Sequence, residues 1–349
     1  MNLLNPTVSV IVPNFNGEKV LPLCLEAISR QDYPLHEVVV VDDCSTDRSA
    51  EIAGLLGAHV VRTPVNSGVA VARNTGAAAA AGEILFFVDS DVALAPDAVT
   101  SAVAVLAADP GIGAVCGIDD PDPLFRDSNV TAYRALQHHY WTRSTAGPVS
   151  FLLSAMFAIR AHVFAEIGCF NPALRYTEEV DFGHRLGQRY TLLATPAIHG
   201  QLDHDHLLWP LLRKLFHRGR LRMPLYLRKR QFAQGYETSV RAWGSVAALM
   251  AVLALPLPVL LGAAWLAAPA LLLAASLACD AGMYRFVYRR RGPAFTGFYA
   301  SVHFLVNLVI VVSVTAGLAQ CLVSPRFRAL YDVPVPRPAD GTRLEGQRR

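Results

Sequence analysis

Asp89 and Asp91 flank Ser90 at the end of the apolar run "EILFFVDSDVAL", Glu83 to Leu94. In an extended segment residues i and i+2 face the same side. Two carboxylates just beyond a buried strand can therefore meet one hard cation. Mg2+ or Mn2+ held by one or two carboxylates completes its shell with water and ligand phosphates, which makes a nucleoside diphosphate the natural guest. Alone, D-x-D at a strand end also reads as a solvated turn. Its neighbours strengthen the chemical reading. "VVVVDDCSTD" ends a second apolar run with Asp42 and Asp43, placed to accept from a base N–H or from ribose hydroxyls. The same stretch could instead cap a helix through Ser45 or Asp47. "NSGVAVARNTG" adds glycines for close backbone approach and Arg73, a two-pronged donor suited to phosphate or to a carboxylate that must be held in place.

Farther along, "YTEEVDFGHRL" gathers Glu178, Glu179 and Asp181. A carboxylate here can serve as general base toward an acceptor hydroxyl. The alternative is an acid cluster favoured by a helix N-terminus, with Thr177 as cap. "HGQLDHDHLLWPLL" then brings His199, His204 and His206. A neutral imidazole is a good metal ligand, although each histidine singly reads equally as surface or structural.

The elements that must position these groups follow from hydropathy. "TVSVIVP" and "HEVVVVDD" are continuous β-branched runs of the kind found in strands covered on both faces. Between them helical spacing puts Val20, Leu23, Ala27 and Ile28 on one side, giving a β-α-β unit. The alternation continues through "STDRSAEIAGLLG", "AHVVRTP", "VAVARNTGAAAAAG" and "EILFFVD". An open α/β sheet is expected, with ligands beyond the carboxyl ends of its strands, where the notable acids fall. "FLLSAMFAIR" is a further candidate strand, beneath the acceptor site.

The 349 residues leave room for more than one core, and 53% hydrophobic with 17% charged residues is rich for a wholly soluble chain. The apolar excess lies at the C-terminal end. Ala242 to Cys279 holds no charged side chain, enough for two spans of about 19 residues, and Gly292 to Pro325 offers a third. "RKLFHRGRLRMPLYLRKR" and "RFVYRRRG" flank the first two, so a hairpin returning to the cytosolic side satisfies the positive-inside tendency. The basic run could also lie along an anionic leaflet. Six scattered cysteines without a C-x-x-C pair suggest neither a zinc ribbon nor a disulfide scaffold. A net charge of +3 is too mild to imply nucleic acid. The first residues lead into a strand with no basic n-region or long apolar h-region, so no cleaved export signal is expected.

Taken in order, "VSVIVPNFNG", "VVVVDDCSTD", "NSGVAVARNTG", "FFVDSDVAL" and "IGCFNPALRYTEEVDFGHRL" resemble the motifs of family 2 glycosyltransferases over roughly residues 6 to 220. The resemblance implies a GT-A, Rossmann-like nucleotide-diphospho-sugar transferase domain followed by C-terminal transmembrane helices. It implies a nucleotide-diphosphate sugar donor, a divalent metal (Mn2+ or Mg2+) and inversion at the anomeric carbon. By the same resemblance the donor site comprises Pro13, Asn14, Asp42, Asp43, Asn66, Gly68, Arg73, Asp89 and Ser90. Asp89, Asp91, His204 and His206 are the candidate metal ligands, Glu179 the catalytic base, and Glu178 and Asp181 acceptor-side groups. Glu179 stands where the family usually has aspartate, one methylene shorter. The expected organisation is a catalytic domain over 1–220, a basic interfacial linker over 221–241, two or three transmembrane helices over 242–325 and a tail over 326–349. That places a multi-pass protein in the inner (plasma) membrane with a cytoplasmic catalytic domain and a lipid-linked glycan or glycolipid acceptor. The alternative function is a non-catalytic nucleotide-sugar-binding membrane protein, or a subunit of a glycan assembly or transport complex.

Overall fold

A computed structural model describes residues 5–229 and 238–332. Two compact units emerge. The first runs to Ile118 and resumes over Ser150–Gly200; the second comprises Asp119–Val149 and Gln201–Tyr331.

In chain order the elements are β1 (Val8–Asn14), α1 (Leu21–Ser29), β2 (Glu37–Asp42), α2 (Ser49–Leu55), β3 (His59–Arg62), α3 (Val69–Ala79), β4 (Ile84–Val88) and β5 (Val92–Leu94). They continue with α4 (Ala98–Ala108), β6 (Ile112–Asp119), α5 (Asn129–Arg143), β7 (Gly147–Pro148), β8 (Met156–Arg160), α6 (Ala161–Ile167), α7 (Glu178–Leu186) and β9 (Thr191–Leu202). The sheet order is β3-β2-β1-β4-β8-β6-β9-β5. β1, β2, β3 and β4 pair in parallel, whereas β8 runs antiparallel to both β4 and β6. Every residue of β1 and β4 is buried, as their unbroken apolar runs require.

The chain moves outward from β1 to β3 and then returns to β4 on the other side of β1. Strand order therefore reverses between β1 and β4, the place where open α/β sheets bind ligands. Pro13 sharpens that crevice. The β1–β4 register runs from Val8↔Ile84 to Ile11↔Phe87, and Pro13, with no N–H to give, lies just past it while still opposite Val41 of β2. Pro13 is buried strand, so its place is in shaping the crevice mouth.

α1 buries Leu21, Cys24, Leu25 and Ile28, a face turned from the expected one. Pro22 in its first turn starts the helix after Val20, so Val20, Leu23 and Ala27 are only half-buried. α3 lies close on the sheet because Gly76 lacks a side chain: a Cβ there would stand 2.3 Å from Ile11 Cγ2 and 3.1 Å from Val41 Cγ2. Gly76→Ala is expected to cost about 1–3 kcal/mol through overpacking, seen as a lower urea midpoint with an unchanged slope.

The second unit carries α8 (Leu208–Lys229), α9 (Ser239–Leu253), α10 (Leu257–Leu261), α11 (Ala267–Ala278), α12 (Ala281–Val323) and α13 (Pro325–Arg328), with a 3-10 turn at Ala263–Leu266. The boundary expected at residue 220 falls inside α8. Composition changes there, but packing does not: α5 and α8 share a core with α12 through Tyr133, Leu136, Leu211, Tyr299, Val302 and Val306. Part of the expected linker and tail, 230–237 and 333–349, lies outside the described residues.

The expectation of two or three spans is also corrected. Among the described residues one helix, α12, is long and apolar enough to cross a membrane. Even this helix is broken at Gly292, whose φ of 78° and ψ of 179° precede Pro293. The charge-free stretch after Arg241 forms α9 and α11, of 15 and 12 residues, each below the roughly 20 that a span needs. Pro256, Pro258 and Gly262 break it, and a count of apolar residues does not register that. A multi-pass arrangement is not supported.

His303 and Asn307 are absorbed into interhelical bonds. Tyr133 Oη lies 3.0 Å from His303 Nδ1, His303 Nε2 lies 3.2 Å from Asp280, and Ser245 donates to Asn307 at 2.9 Å. These polar groups lace helices of the second unit together.

Candidate active site

The first unit places acids at the carboxyl ends of β2 and β4, on either side of β1, which ends in Asn14. β4 ends at Val88, and Asp89, Ser90 and Asp91 form a tight turn closed by Val92 N–H donating to Asp89 O at 3.1 Å. The extended geometry expected for this tripeptide is thus replaced by a turn, because β5 must begin at Val92. Asp89 is about a third exposed, and Ser90 and Asp91 are half-buried. A second bond, Asp89 N–H to Ala155 O at 2.9 Å, fixes the turn to the start of β8.

Arg73, on α3, is 1% exposed and reaches into this place. Its Nη2 donates to Asp89 Oδ1 at 2.8 Å and to Ser154 O at 3.3 Å, while Nη1 donates to Glu178 Oε1 at 3.0 Å. Its guanidinium also lies over the Phe170 ring, 5.5 Å from the centroid. Burial alone would lower its pKa, but the Asp89 and Glu178 carboxylates reverse this and raise it. Its two terminal nitrogens thus reach two carboxylates at once, as a planar fork can, while its Nε is buried without a hydrogen bond.

Glu178, Glu179 and Asp181 occupy the first turn of α7 and are all buried. Thr177 is the N-cap residue without a side-chain cap bond, and the three acids lie in the first turn, where the helix N-terminus favours negative charge. Glu178 pairs with Arg73, and Asp181 with Arg185 at 3.0 Å. Arg185 in turn donates to Ile167 O at 2.8 Å and Cys169 O at 2.7 Å. Those pairs tie Glu178 to α3 and Asp181 to the loop before α7. Glu179, 7% exposed, is the remaining acid of the turn, and its carbonyl accepts from Leu152 N–H at 3.4 Å. α7 comes this close because Gly183 has no Cβ; one would lie 2.5 Å from Leu152 N. Phe170 and Phe182 stack at 4.4 Å and Phe87 and Phe157 at 4.7 Å, so a ring cluster ties α7 to β4 and β8.

Asp42 and Asp43 look inward. Asp42 accepts from Arg62 at 3.0 Å, Ser45 N–H at 3.3 Å and Asn14 at 3.4 Å. Asp43 accepts from Thr63 at 2.7 Å, Ser67 N–H at 3.0 Å and Gly68 N–H at 2.7 Å. Both are fully or almost fully buried. Their oxygens hold the loops after β2 and β3. Gly68, with φ of 91°, supplies the turn that aims its N–H at Asp43, and Asn66 is exposed just before it. Asn14 ends β1 with a buried Oδ1 that makes no hydrogen bond, and a Cβ on Gly17 would come within 2.2 Å of that oxygen.

The two metal-candidate histidines belong to the second unit and have separate surroundings. His206 is exposed, and its carbonyl accepts from Ser128 at 2.8 Å. His204 is buried with Nε2 3.8 Å from Asp119 Oδ2, and desolvation lowers its pKa to about 3, so the ring is neutral. Asp119 also meets His138 Nδ1 at 2.6 Å. Burial opposes ionisation of Asp119, yet His138 and His204 hold its pKa below the ordinary value. Sequence reasoning missed Asp119 and His138, although an acid at the end of another apolar run, "AVCGIDD", was the available signal.

Among the described residues no group of three or more His, Cys, Asp or Glu side chains is arranged as a metal centre. The donor set at Asp89 and Asp91 nevertheless fits a hard cation that takes one or two carboxylates and fills its shell from phosphate and water.

Residues 9–168, a little under half of the chain, match the family model described as Glycosyl transferase family 2. An uncharacterized glycosyltransferase of Haemophilus influenzae is 28% identical over 180 residues, 50% of this chain and 60% of the relative. Poly(ribitol-phosphate) beta-N-acetylglucosaminyltransferase TarS of Staphylococcus aureus is 43% identical over 90 residues, 24% of this chain and 16% of TarS. The chain thus spans less than two thirds of the curated relatives it matches. The mannosyltransferase PcManGT of Pyrobaculum calidifontis, solved with GDP-Man and Mn2+, superposes with a TM-score of 0.56 at 20% identity, over 91% of this chain and 87% of that one. That likeness concerns the fold, a mixed α/β sheet of GT-A type.

Proposed function

We propose that the protein is a metal-dependent, inverting glycosyltransferase that moves a sugar from a nucleotide-diphosphate donor to a hydroxyl of a membrane-associated acceptor, a lipid-linked glycan or glycolipid of the cell envelope. The observation that carries this reading is Arg73, whose one guanidinium bonds Asp89 of the D-x-D turn and Glu178 of the α7 acid cluster. Residues far apart in the chain are thereby set in one frame at the strand-order switch between β1 and β4.

Asp89 and Asp91 would hold Mn2+ or Mg2+, which would bind the donor diphosphate and offset charge growing on the leaving group. Arg73 orients Asp89, and Glu178 anchors α7 so that Glu179 stays fixed. Glu179 takes the proton of the acceptor hydroxyl as its oxygen attacks the anomeric carbon on the face opposite the diphosphate, and inversion follows. Charge around α8 and apolar surface on α9–α11 support membrane association with the catalytic unit on the cytosolic face. PcManGT, with GDP-Man and Mn2+ bound, supports the donor class and the metal.

A screen of nucleotide sugars for Mn2+-dependent turnover in membrane fractions tests the proposal. Asp91→Asn is expected to lower turnover at least about a hundredfold, the order lost when a charge-stabilising group is removed. Equal turnover by that variant removes the metal assignment.

A further inference from the structure

We infer that the second unit holds the protein to one anionic leaflet without crossing the bilayer: α8 and α12 lie side by side in the interface, and the α9–α11 hairpin dips into the hydrocarbon and returns. The inference rests on the membrane association proposed above and fixes its geometry.

The first observation concerns α12. By length and composition it could span, but α8 runs beside it in the same direction. A Cβ on Gly219 would stand 2.2 Å from Ser313 Oγ, and one on Gly317 would stand 2.7 Å from Arg220 O. Met223 packs with Cys321 and Phe327, and Tyr331 Oη donates to Leu221 O at 2.9 Å. α8 carries Arg213, Lys214, Arg218, Arg220, Arg222, Arg228 and Lys229. A crossing α12 would drag most of these cations through the hydrocarbon, each at a substantial cost. Laid flat, the same pair puts its cations at the headgroups of an anionic leaflet, where each adds to binding.

The second observation concerns the hairpin. Its base is set by Arg241, 3.5 Å from Asp280, so both arms begin at one level. From Gly262 at the tip, the returning arm has the 3-10 turn Ala263–Leu266 and the 12 residues of α11 before Asp280. At ~2.0 and ~1.5 Å per residue this reaches about 26 Å at most, short of the ~30 Å hydrocarbon core. The tip is built for lipid: Val259 is 88% and Leu260 72% exposed. Its backbone is closed internally, with Leu260 N–H on Pro256 O, Gly262 N–H on Pro258 O and Trp265 N–H on Gly262 O, each 3.1 Å. Irregular backbone needs such closure at membrane depth. The arms are laced by Ser276 donating to Gly244 O at 2.9 Å.

Two measurements on the full chain test this. In flotation, the protein is expected to rise with phosphatidylglycerol-containing vesicles and far less with pure phosphatidylcholine, and Arg213→Gln should weaken anionic binding by about fivefold. Absence of flotation, including a soluble dimer that ignores lipid, overturns membrane association itself. The second uses sealed right-side-out and inside-out membrane vesicles treated with an impermeant maleimide, with labelling read by peptide mass. Leu55→Cys on the catalytic unit and Arg326→Cys after α12 should label from the same face, and Val259→Cys from neither until detergent is added. Labelling of Arg326→Cys or Val259→Cys from the face opposite Leu55→Cys overturns the single-leaflet geometry while leaving membrane association standing.

Discussion

Arg73→Met should destabilise the catalytic unit by about 3–5 kcal/mol, because it strips the guanidinium from two carboxylates, one of them deeply buried. The isosteric stem keeps packing against Phe170, so the loss reports charge more than volume. In a unit of this size the thermal midpoint is expected to fall by roughly 10 °C. Arg73→Lys sharpens the test. A single ammonium cannot hold Asp89 and Glu178 in the same fork geometry, so the charge is retained while the alignment is lost. Stability should recover in part, but turnover should stay well below that of the wild type, whereas donor affinity changes less. Calorimetry and steady-state rates on the three proteins separate these effects. A fully active Arg73→Lys variant would show that the joint grip is unnecessary.

Glu179→Gln should lower turnover by about 10²–10⁴-fold, the range ascribed to a general base, and leave donor binding unchanged. The amide is nearly isosteric, so α7 should keep its place against Leu152. Glu178 and Asp181 are poor substitutes because Arg73 and Arg185 hold them. Glu179→Asp restores the acid one methylene shorter and should recover part of the rate. If Glu179→Gln turned over like the wild type, the base would have to be sought elsewhere.

Much of the frame was legible in the chain itself. Continuous apolar runs gave β1, β2 and β4, the last two ending in acids, and the D-x-D segment follows β4 while the α7 acids occupy a helix's first turn. The sequence left Arg73 open between a phosphate and a carboxylate that must be held in place, because a lone arginine shows only its chemistry. Its partners Asp89 and Glu178 lie 16 and 105 residues away, and only the fold identifies them. The bonds that Asp42 and Asp43 accept from Arg62, Thr63, Ser67 and Gly68 were not legible for a related reason, since all four lie farther along the chain. At the C-terminal end, apolar length suggested spans where prolines and Gly262 produce short arms. Asp119 and His138 meet through a helix packing that no local pattern encodes.

The shortest route to the central claim is a calorimetric titration of purified wild type and Asp91→Asn with uridine and guanosine diphosphates, in Mn2+ and in EDTA. Tight binding of one nucleotide that requires both the ion and Asp91 is the expected result. Equal heats from both proteins, or binding indifferent to chelation, would contradict a cation-held diphosphate at the end of β4.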